Sequence, residues 1–146
     1  MPRTEAHREF QLVSVSPFGK DFRAVLVFPE PYSVASSNLA FHQIYRLLGQ
    51  HPRFSCERAC VEPGAPVRTL ERGRPLEEFD LLAFTVPFEL GYLNVVRALD
   101  ESGVPLLAAE RKEGDPLVLM GGIAAAANPA VMAPFVDLFL LGEGEA

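Results

Sequence analysis

The sequence contains few residues of the kinds that bind metals, with two cysteines and three histidines among 146 residues. Cys56 and Cys60 lie in a segment typical of a strand, where positions i and i+4 share a face but stand roughly 13 Å apart. That separation excludes a disulfide and a shared metal ion, so we interpret both as small residues of a reduced core. No Ser/His/Asp or Cys/His pairing surrounds His7, His42 or His51. The sequence therefore predicts no catalytic residue and no metal ligand.

Basic residues are also scarce. Thirteen lysines and arginines face 19 aspartates and glutamates, giving a net charge of −6, which argues against a general nucleic-acid binder. The first ten residues are charged and do not resemble a signal peptide. The apolar region 117–141 is interrupted by glycines, prolines and Asp137, so a membrane span is not expected. We predict a cytoplasmic protein with neither a membrane nor a nucleic-acid partner.

The usual phosphate-binding glycine motifs are missing. No Gly-Lys-Ser/Thr follows the glycines at 121 and 122, and no Gly-x-Gly-x-x-Gly opens a helix after the first predicted strand. A small flavodoxin-like enzyme that binds a nucleotide therefore remains only an alternative.

What the sequence does contain is an alternation of apolar strand-like runs with helical segments. This alternation predicts an α/β fold, namely a flavodoxin-like (Rossmann-like) doubly wound parallel sheet of about five strands in the order 2-1-3-4-5. The second strand is the most polar and is expected at an edge. The predicted strands are 23–28, 55–61, 80–86, 117–120 and 138–141, and the predicted helices are 33–49, 88–101 and a short one at 67–72.

Apolar spacing predicts which helix faces are buried. The helix 33–49 is expected to begin at a serine or asparagine cap and to end at Gly49. Segment 104–109 is predicted as a strand or a packed stretch, and 1–22 as an arm or edge segment. The cap candidates are Ser36, Ser37 and Asn38. The predicted core positions are Leu39, Ile44, Leu47 and Leu48 in the first helix and Leu90, Leu93, Val96 and Leu99 in the second.

Turns rich in small residues follow several predicted strands. In a parallel sheet these turns meet at the carboxyl edge, where ligands bind, and glycine lets a flat ring approach the main chain. Paired glycines are equally common in turns without a ligand, and Glu143 and Glu145 are best explained as a solvated end. The candidate cofactor-binding residues are Thr85, Phe88, Gly121, Gly122 and Gly142.

Several short motifs occur together in order along residues 23–146. They include the segments 28–32, 37–39, 56–58, 80–85, 88–90 and 103–106, with Tyr92, Asn94 and Val95, and a C-terminal set at 116–118, 121–122, 128–129, Phe135, Asp137 and 142–145. The ordered set resembles the N-terminal, cobalamin-binding-like domain of a family of radical S-adenosylmethionine (radical SAM) proteins. Each motif alone is weak, and the C-terminal set is the strongest.

The resemblance implies a radical SAM domain after residue 146 of the same polypeptide. That domain would bind a [4Fe–4S] cluster through Cys-x-x-x-Cys-x-x-Cys and would cleave S-adenosylmethionine. Cys56 and Cys60 match only its first half, because position 63 is Pro63. The implied function of residues 23–146 is thus an accessory domain without catalysis of its own. An apolar patch is expected where the downstream domain docks, since no covering helix follows the last predicted strand.

The resemblance leaves the cobalamin question open. Cobalamin domains with a cobalt-ligating histidine carry it after the first strand, and the matching stretch 31–37 has none. Cobalamin would then bind without a protein ligand, against Thr85 and the turn at 121–122, or the fold would persist without the cofactor. A stand-alone binding or interaction domain with no cofactor is the alternative from a different class.

Overall fold

A computed structural model describes residue 9 and residues 21–142, which contain one five-stranded sheet. Every neighbouring pair of strands is parallel, and the order is β2-β1-β3-β4-β5. The predicted flavodoxin-like α/β fold, its strand order and the edge position of the second strand are confirmed. The strands are β1 (Phe22–Phe28), β2 (Phe54–Cys60), β3 (Leu81–Thr85), β4 (Leu117–Gly121) and β5 (Leu138–Phe139).

The central strands β1 and β3 are largely apolar, as is typical of parallel strands in the middle of a sheet. All five residues of β3 are buried, as are the last five of β1. Side chains alternate between the two faces along each strand. The helices are α1 (Tyr32–Ala35), α2 (Leu39–Gln50), α3 (Gly91–Glu101) and α4 (Ile123–Ala127).

The predicted helix 33–49 is two helices. Asn38, one of the three predicted caps, begins α2, and its side-chain oxygen accepts a hydrogen bond from the amide of Phe41 at 2.9 Å. The predicted end at Gly49 is wrong, because this buried glycine lies inside α2 and the helix runs on to Gln50.

The two faces of the sheet carry separate clusters of buried side chains. We call them the α3 face and the α2 face. On the α3 face, β1, β3 and β4 pack against α3 and α4, and the cluster includes Val27, Phe84, Val95 and Met120. On the α2 face, α2 packs over β1 and β2, and the cluster includes Leu26, Phe28, Phe41, Tyr45 and the thiols of Cys56 and Cys60.

The predicted core stripes are wrong in part. In α3, Leu99 is buried and Val96 is half-buried, but Leu93 faces solvent, as does Leu90 just before the helix. The buried positions of the helix are instead Gly91, Tyr92, Val95, Ala98 and Leu99, which also follow helical spacing. In α2, Ile44 and Leu48 are half-buried, whereas Leu39 and Leu47 are exposed and Phe41 and Tyr45 take the core positions.

Segment 67–72 is not the predicted helix. It returns to the edge of β2, where Thr69 bridges Ala59 and the amide of Leu70 donates to the carbonyl of Arg58 at 2.7 Å. Gly73, at φ +67°, turns the chain back. The backbone of the edge strand is therefore occupied, which limits pairing with other chains.

The buried Arg58 side chain ties three parts of the fold together. Its guanidinium contacts Glu9 at 2.6 Å and Glu71 at 2.8 Å and lies over the ring of Tyr45. Glu9 also accepts a hydrogen bond from the hydroxyl of Tyr32. Burial raises the pKa of Tyr32 to about 12, with help from this bond. Burial opposes the charge of Arg58, but Glu9 and Glu71 outweigh it and raise the arginine's pKa.

Segment 104–109 is packed and contains no strand, in agreement with the second of the two predicted outcomes. A short 3-10 turn, Ala108–Glu110, follows α3. The predictions for residues 1–22 lie outside the described residues except at Glu9, Asp21 and Phe22, as do those for residues 143–146. Among the described residues, no helix has the length and apolar character needed to cross a membrane.

Candidate functional site

An apolar cleft of about 410 Å³ lies at the carboxyl edge of the sheet, on the α2 face. Leu26, Ala83 and Leu119, from three adjacent strands, form its floor. Ala40 and Ile44, one turn apart on α2, form one wall. The cleft exists because α2 packs over β1 and β2 and leaves the neighbouring strands less covered on this face.

The glycine turns predicted from the sequence lie at the mouth of this cleft. Thr85, Gly121, Gly122 and Gly142 all line it. Thr85 and Gly121 are partners in the β3–β4 register, so the structure brings them side by side. Phe88, the fifth predicted residue, is not among the lining residues, and 63% of its surface is exposed.

Gly122 has a structural reason to be glycine. Its φ is +102°, and a Cβ atom built there would lie 2.6 Å from the carbonyl oxygen of Val86. The strand end is fixed at this point, because the amide of Val86 donates to Gly121 at 2.9 Å and its carbonyl accepts from Ala124 at 3.2 Å. The glycine pair is therefore explained by the turn itself, with or without a ligand.

Gly121 is different from its neighbour. A Cβ atom there would meet the Leu140 side chain at 3.6 Å, which is ordinary van der Waals contact, and its φ is not positive. A side chain at this position would project toward the cleft. Gly121 is thus the glycine through which access to the cleft can be altered without straining the turn.

Several residues of the ordered motifs hold the carboxyl edge together. The hydroxyl of Tyr92 donates to the carbonyl of Ala124 at 2.8 Å and to that of Asn128 at 3.1 Å, and burial raises its pKa. The side-chain amide of Asn94 donates to the carbonyl of Pro29 at 2.7 Å. These bonds connect α3 to the turns on either side of it.

Asp137 has a comparable role before β5. Its carboxylate accepts hydrogen bonds from the amide of Val118 at 2.8 Å and from Arg111 at 2.9 Å. The buried guanidinium of Arg111 also donates to the carbonyls of Leu106 and Phe135. Several residues of the motifs that carry the family resemblance thus position loops.

A second surface at the same edge is exposed and apolar. We call Phe88, Leu90, Leu93 and Ile123 the apolar rim, and their exposed fractions are 63, 83, 77 and 77%. Ile123 also lines the cleft, so the two surfaces adjoin there. Sequence periodicity missed it, because leucines spaced three apart in a helix usually face the core. The available signal was the competing set of Tyr92, Val95 and Leu99. Large exposed apolar groups clustered at one edge are typical of interaction surfaces.

Chemically, the described residues offer shape and apolar surface. Among them, no group of three or more histidine, cysteine, aspartate or glutamate side chains is placed to hold a metal ion. His42 lies outside the cleft lining, and its Nε2 is 2.9 Å from the carbonyl oxygen of Ser36. The buried thiols belong to the covered part of the α2 face. The arrangement is suited to binding a flat apolar group or another protein segment.

The fold defines a class, the doubly wound α/β domain, in which ligands generally bind at the carboxyl ends of the strands. Comparison with protein families is more specific: the model of the N-terminal domain of radical SAM proteins matches residues 40–146. The chain therefore belongs to this family. No curated protein and no solved structure matches it significantly.

Proposed function

We propose that this chain is the cobalamin-binding-like accessory domain at the N-terminus of a radical SAM iron–sulfur protein, without catalysis of its own. The family match over residues 40–146 carries the proposal. In this view the partner is a radical SAM domain further along the same polypeptide, which holds the [4Fe–4S] cluster and S-adenosylmethionine.

The geometry supports the role of an accessory domain. The carboxyl edge presents the apolar rim, where Leu90 and Leu93 are exposed. A docked partner domain would remove these apolar side chains from solvent. The polar residues of this edge, such as Tyr92 and Asn94, are engaged by backbone carbonyls. A surface of this kind fits a domain interface.

The test is the coding sequence beyond Ala146. We expect an open reading frame that encodes Cys-x-x-x-Cys-x-x-Cys, and the purified full-length protein should show the broad absorbance of a [4Fe–4S] cluster after anaerobic reconstitution. A stop codon at this point, or a continuation without the three cysteines, would refute the proposal. The alternative of a stand-alone interaction domain would then be preferred.

The second part of the proposal concerns cobalamin. The mouth of the cleft would hold the cofactor through Thr85, Gly121, Gly122 and Gly142, where small residues let a flat ring approach the backbone. No described histidine lines the cleft, so the cobalt would have no ligand from these residues. Bound cobalamin would supply a cobalt centre for methyl or radical transfer. The volume of about 410 Å³ accommodates part of so large a molecule.

A binding experiment tests this part. Full-length protein is mixed with hydroxocobalamin, desalted and examined for retained visible absorbance. Gly121→Val should reduce retention and Gly121→Ala should reduce it less, because only the larger side chain obstructs the mouth. Gly122 is unsuitable for this purpose, since its replacement collides with Val86. A protein that never retains colour supports a fold that has lost the cofactor.

A further inference from the structure

Four serine or threonine side chains of the described residues are buried, and three of them have a hydrogen-bond partner. The hydroxyls of Ser55 and Ser102 donate to backbone carbonyls, and that of Thr69 accepts from a backbone amide at 2.9 Å. Thr85 is the exception. Its residue is 7% exposed, yet its hydroxyl forms no hydrogen bond with any described residue. Burying a hydroxyl without a partner is unfavourable, so Thr85 destabilises the domain unless another molecule pairs with it.

The side chain of Thr85 is directed into the cleft. Successive side chains of β3 alternate between the two faces of the sheet, with Phe84 in the cluster of the α3 face and Ala83 in that of the α2 face. Thr85 therefore lies on the α2 face, where it lines the cleft. Its register partner on β4 is Gly121, which has no side chain to cover the hydroxyl.

The interior of the cleft is otherwise apolar. Its floor and its α2 wall have no polar side-chain atoms, and none of the described lining residues is charged. Thr85 is the one described lining residue whose side chain can form a hydrogen bond. A water molecule would satisfy it poorly, because a buried water typically makes about three hydrogen bonds. The cleft volume of about 410 Å³ lies within the usual range for small-molecule sites.

We propose that the interior of the cleft binds a small uncharged molecule with an apolar body and one hydrogen-bonding group, which pairs with the hydroxyl of Thr85. The apolar body would contact Leu26 and Leu119 on the floor, and the hydroxyl would fix its orientation. An ionised ligand is excluded, because no described lining side chain could pair with its charge. The proposed function concerns a cofactor at the mouth, whereas this inference concerns the interior and holds for a chain that never retains cobalamin.

Two uncharged probes of nearly equal shape test the proposal in chain 1–146. The first, p-cresol, carries a hydroxyl where the second, p-xylene, carries a methyl group. Thr85→Val makes the same exchange in the protein. We expect the wild type to bind p-cresol at least about fivefold more tightly than Thr85→Val does, which is the change expected for one hydrogen bond. The affinity for p-xylene should stay equal or rise in the variant. NMR titration of the backbone amides measures all four dissociation constants.

Thermal stability separates recognition from a structural role. Thr85→Val removes a buried hydroxyl that has no partner, so without a probe the variant should unfold about 2–4 °C above the wild type. Thr85→Ser keeps the hydroxyl and should keep the preference for p-cresol to within about twofold. A lower melting temperature of Thr85→Val would show that the hydroxyl is paired within the protein, and this result would overturn the proposal.

A second pair of variants locates the binding. Ala40→Phe fills the cleft from the α2 wall and should weaken the binding of both probes at least about tenfold. Ala109→Phe, at an exposed position outside the cleft lining, should change neither affinity. Unchanged affinities in Ala40→Phe would overturn the proposal, as would an equal loss of both probes in Thr85→Val or the absence of saturable binding to the wild type. Binding of p-cresol by a chain that does not retain cobalamin would support this inference while the cofactor part of the proposed function fails.

Discussion

The two faces of this sheet are built from the same strands but differ in how completely they are covered. On the α3 face, neighbouring side chains such as Val27, Phe84 and Met120 are at most 1% exposed, and two helices and a loop seal them. On the α2 face, Phe28 and Phe41 are equally buried, but Leu119 is half-buried and Leu138 is half exposed. The α3 face is fully covered, whereas the partly covered α2 face contains the cleft.

Adjacent residues on one strand therefore experience different environments, which makes the comparison testable by paired substitutions. Alternation along a strand sends successive side chains to opposite faces, so Leu119 and Met120 are neighbours in β4 but lie on different faces. Differences within a pair can then be assigned to the faces.

The largest difference is expected for the adjacent glycines. Gly122→Ala forces a Cβ atom to within 2.6 Å of Val86 at a positive φ, and we expect a loss of at least about 3 kcal/mol in the free energy of unfolding. Gly121→Ala meets only Leu140, at 3.6 Å, and should change that free energy by less than about 1 kcal/mol. Urea denaturation of chain 1–146 measures both. Similar losses at the two positions would mean that the strand-end turn does not constrain Gly122 as described.

The next difference is between Met120 and Leu119 of β4. Met120→Ala empties a fully buried site on the α3 face and should cost about 3 kcal/mol. Leu119→Ala removes a half-buried side chain from the cleft floor and should cost about 1 kcal/mol.

Equal costs of the two substitutions in chain 1–146 would contradict the description of the α2 face as partly open. Calorimetry of both variants and of the wild type measures the two costs.

The sequence predicted the sheet well because strand identity is a local property here. Runs such as Leu81–Thr85 are apolar on both faces, and their order followed from the alternation with helices. The polar character of β2 correctly placed it at an edge, where the 67–75 segment covers its backbone. That segment was predicted as a helix because its return to β2 depends on contacts distant in sequence, such as Thr69 with Ala59.

The candidate site was predictable only in outline. Glycine turns at strand ends indicated the carboxyl edge, and four of the five predicted residues line one cleft. The apolar rim was missed, because leucines at helical spacing predict burial, whereas Leu90 and Leu93 are exposed. The role of Gly122 was also hidden, since its close approach to Val86 is a tertiary contact.

The smallest expected effect concerns the covered part of the α2 face and involves no substitution. Cys56 and Cys60 are buried there, and burial raises the pKa of each thiol from 9.0 to about 12. Because the thiolate is the reactive form, Ellman's reagent at pH 8 should modify neither thiol in folded chain 1–146 and both in guanidinium chloride.

The same pKa shift makes the free energy of unfolding depend on pH. Both thiols keep their protons longer in the folded state, so their contribution is constant below pH 9 and declines as the pH rises from about 9 toward 12. A Leu138→Cys variant supplies the control, because position 138 is 50% exposed and its thiol should react at pH 8 without denaturant. Rapid modification of Cys56 or Cys60 under native conditions would show that α2 opens readily. The covered part of the α2 face would then differ less in solvent access from the exposed part around Leu138.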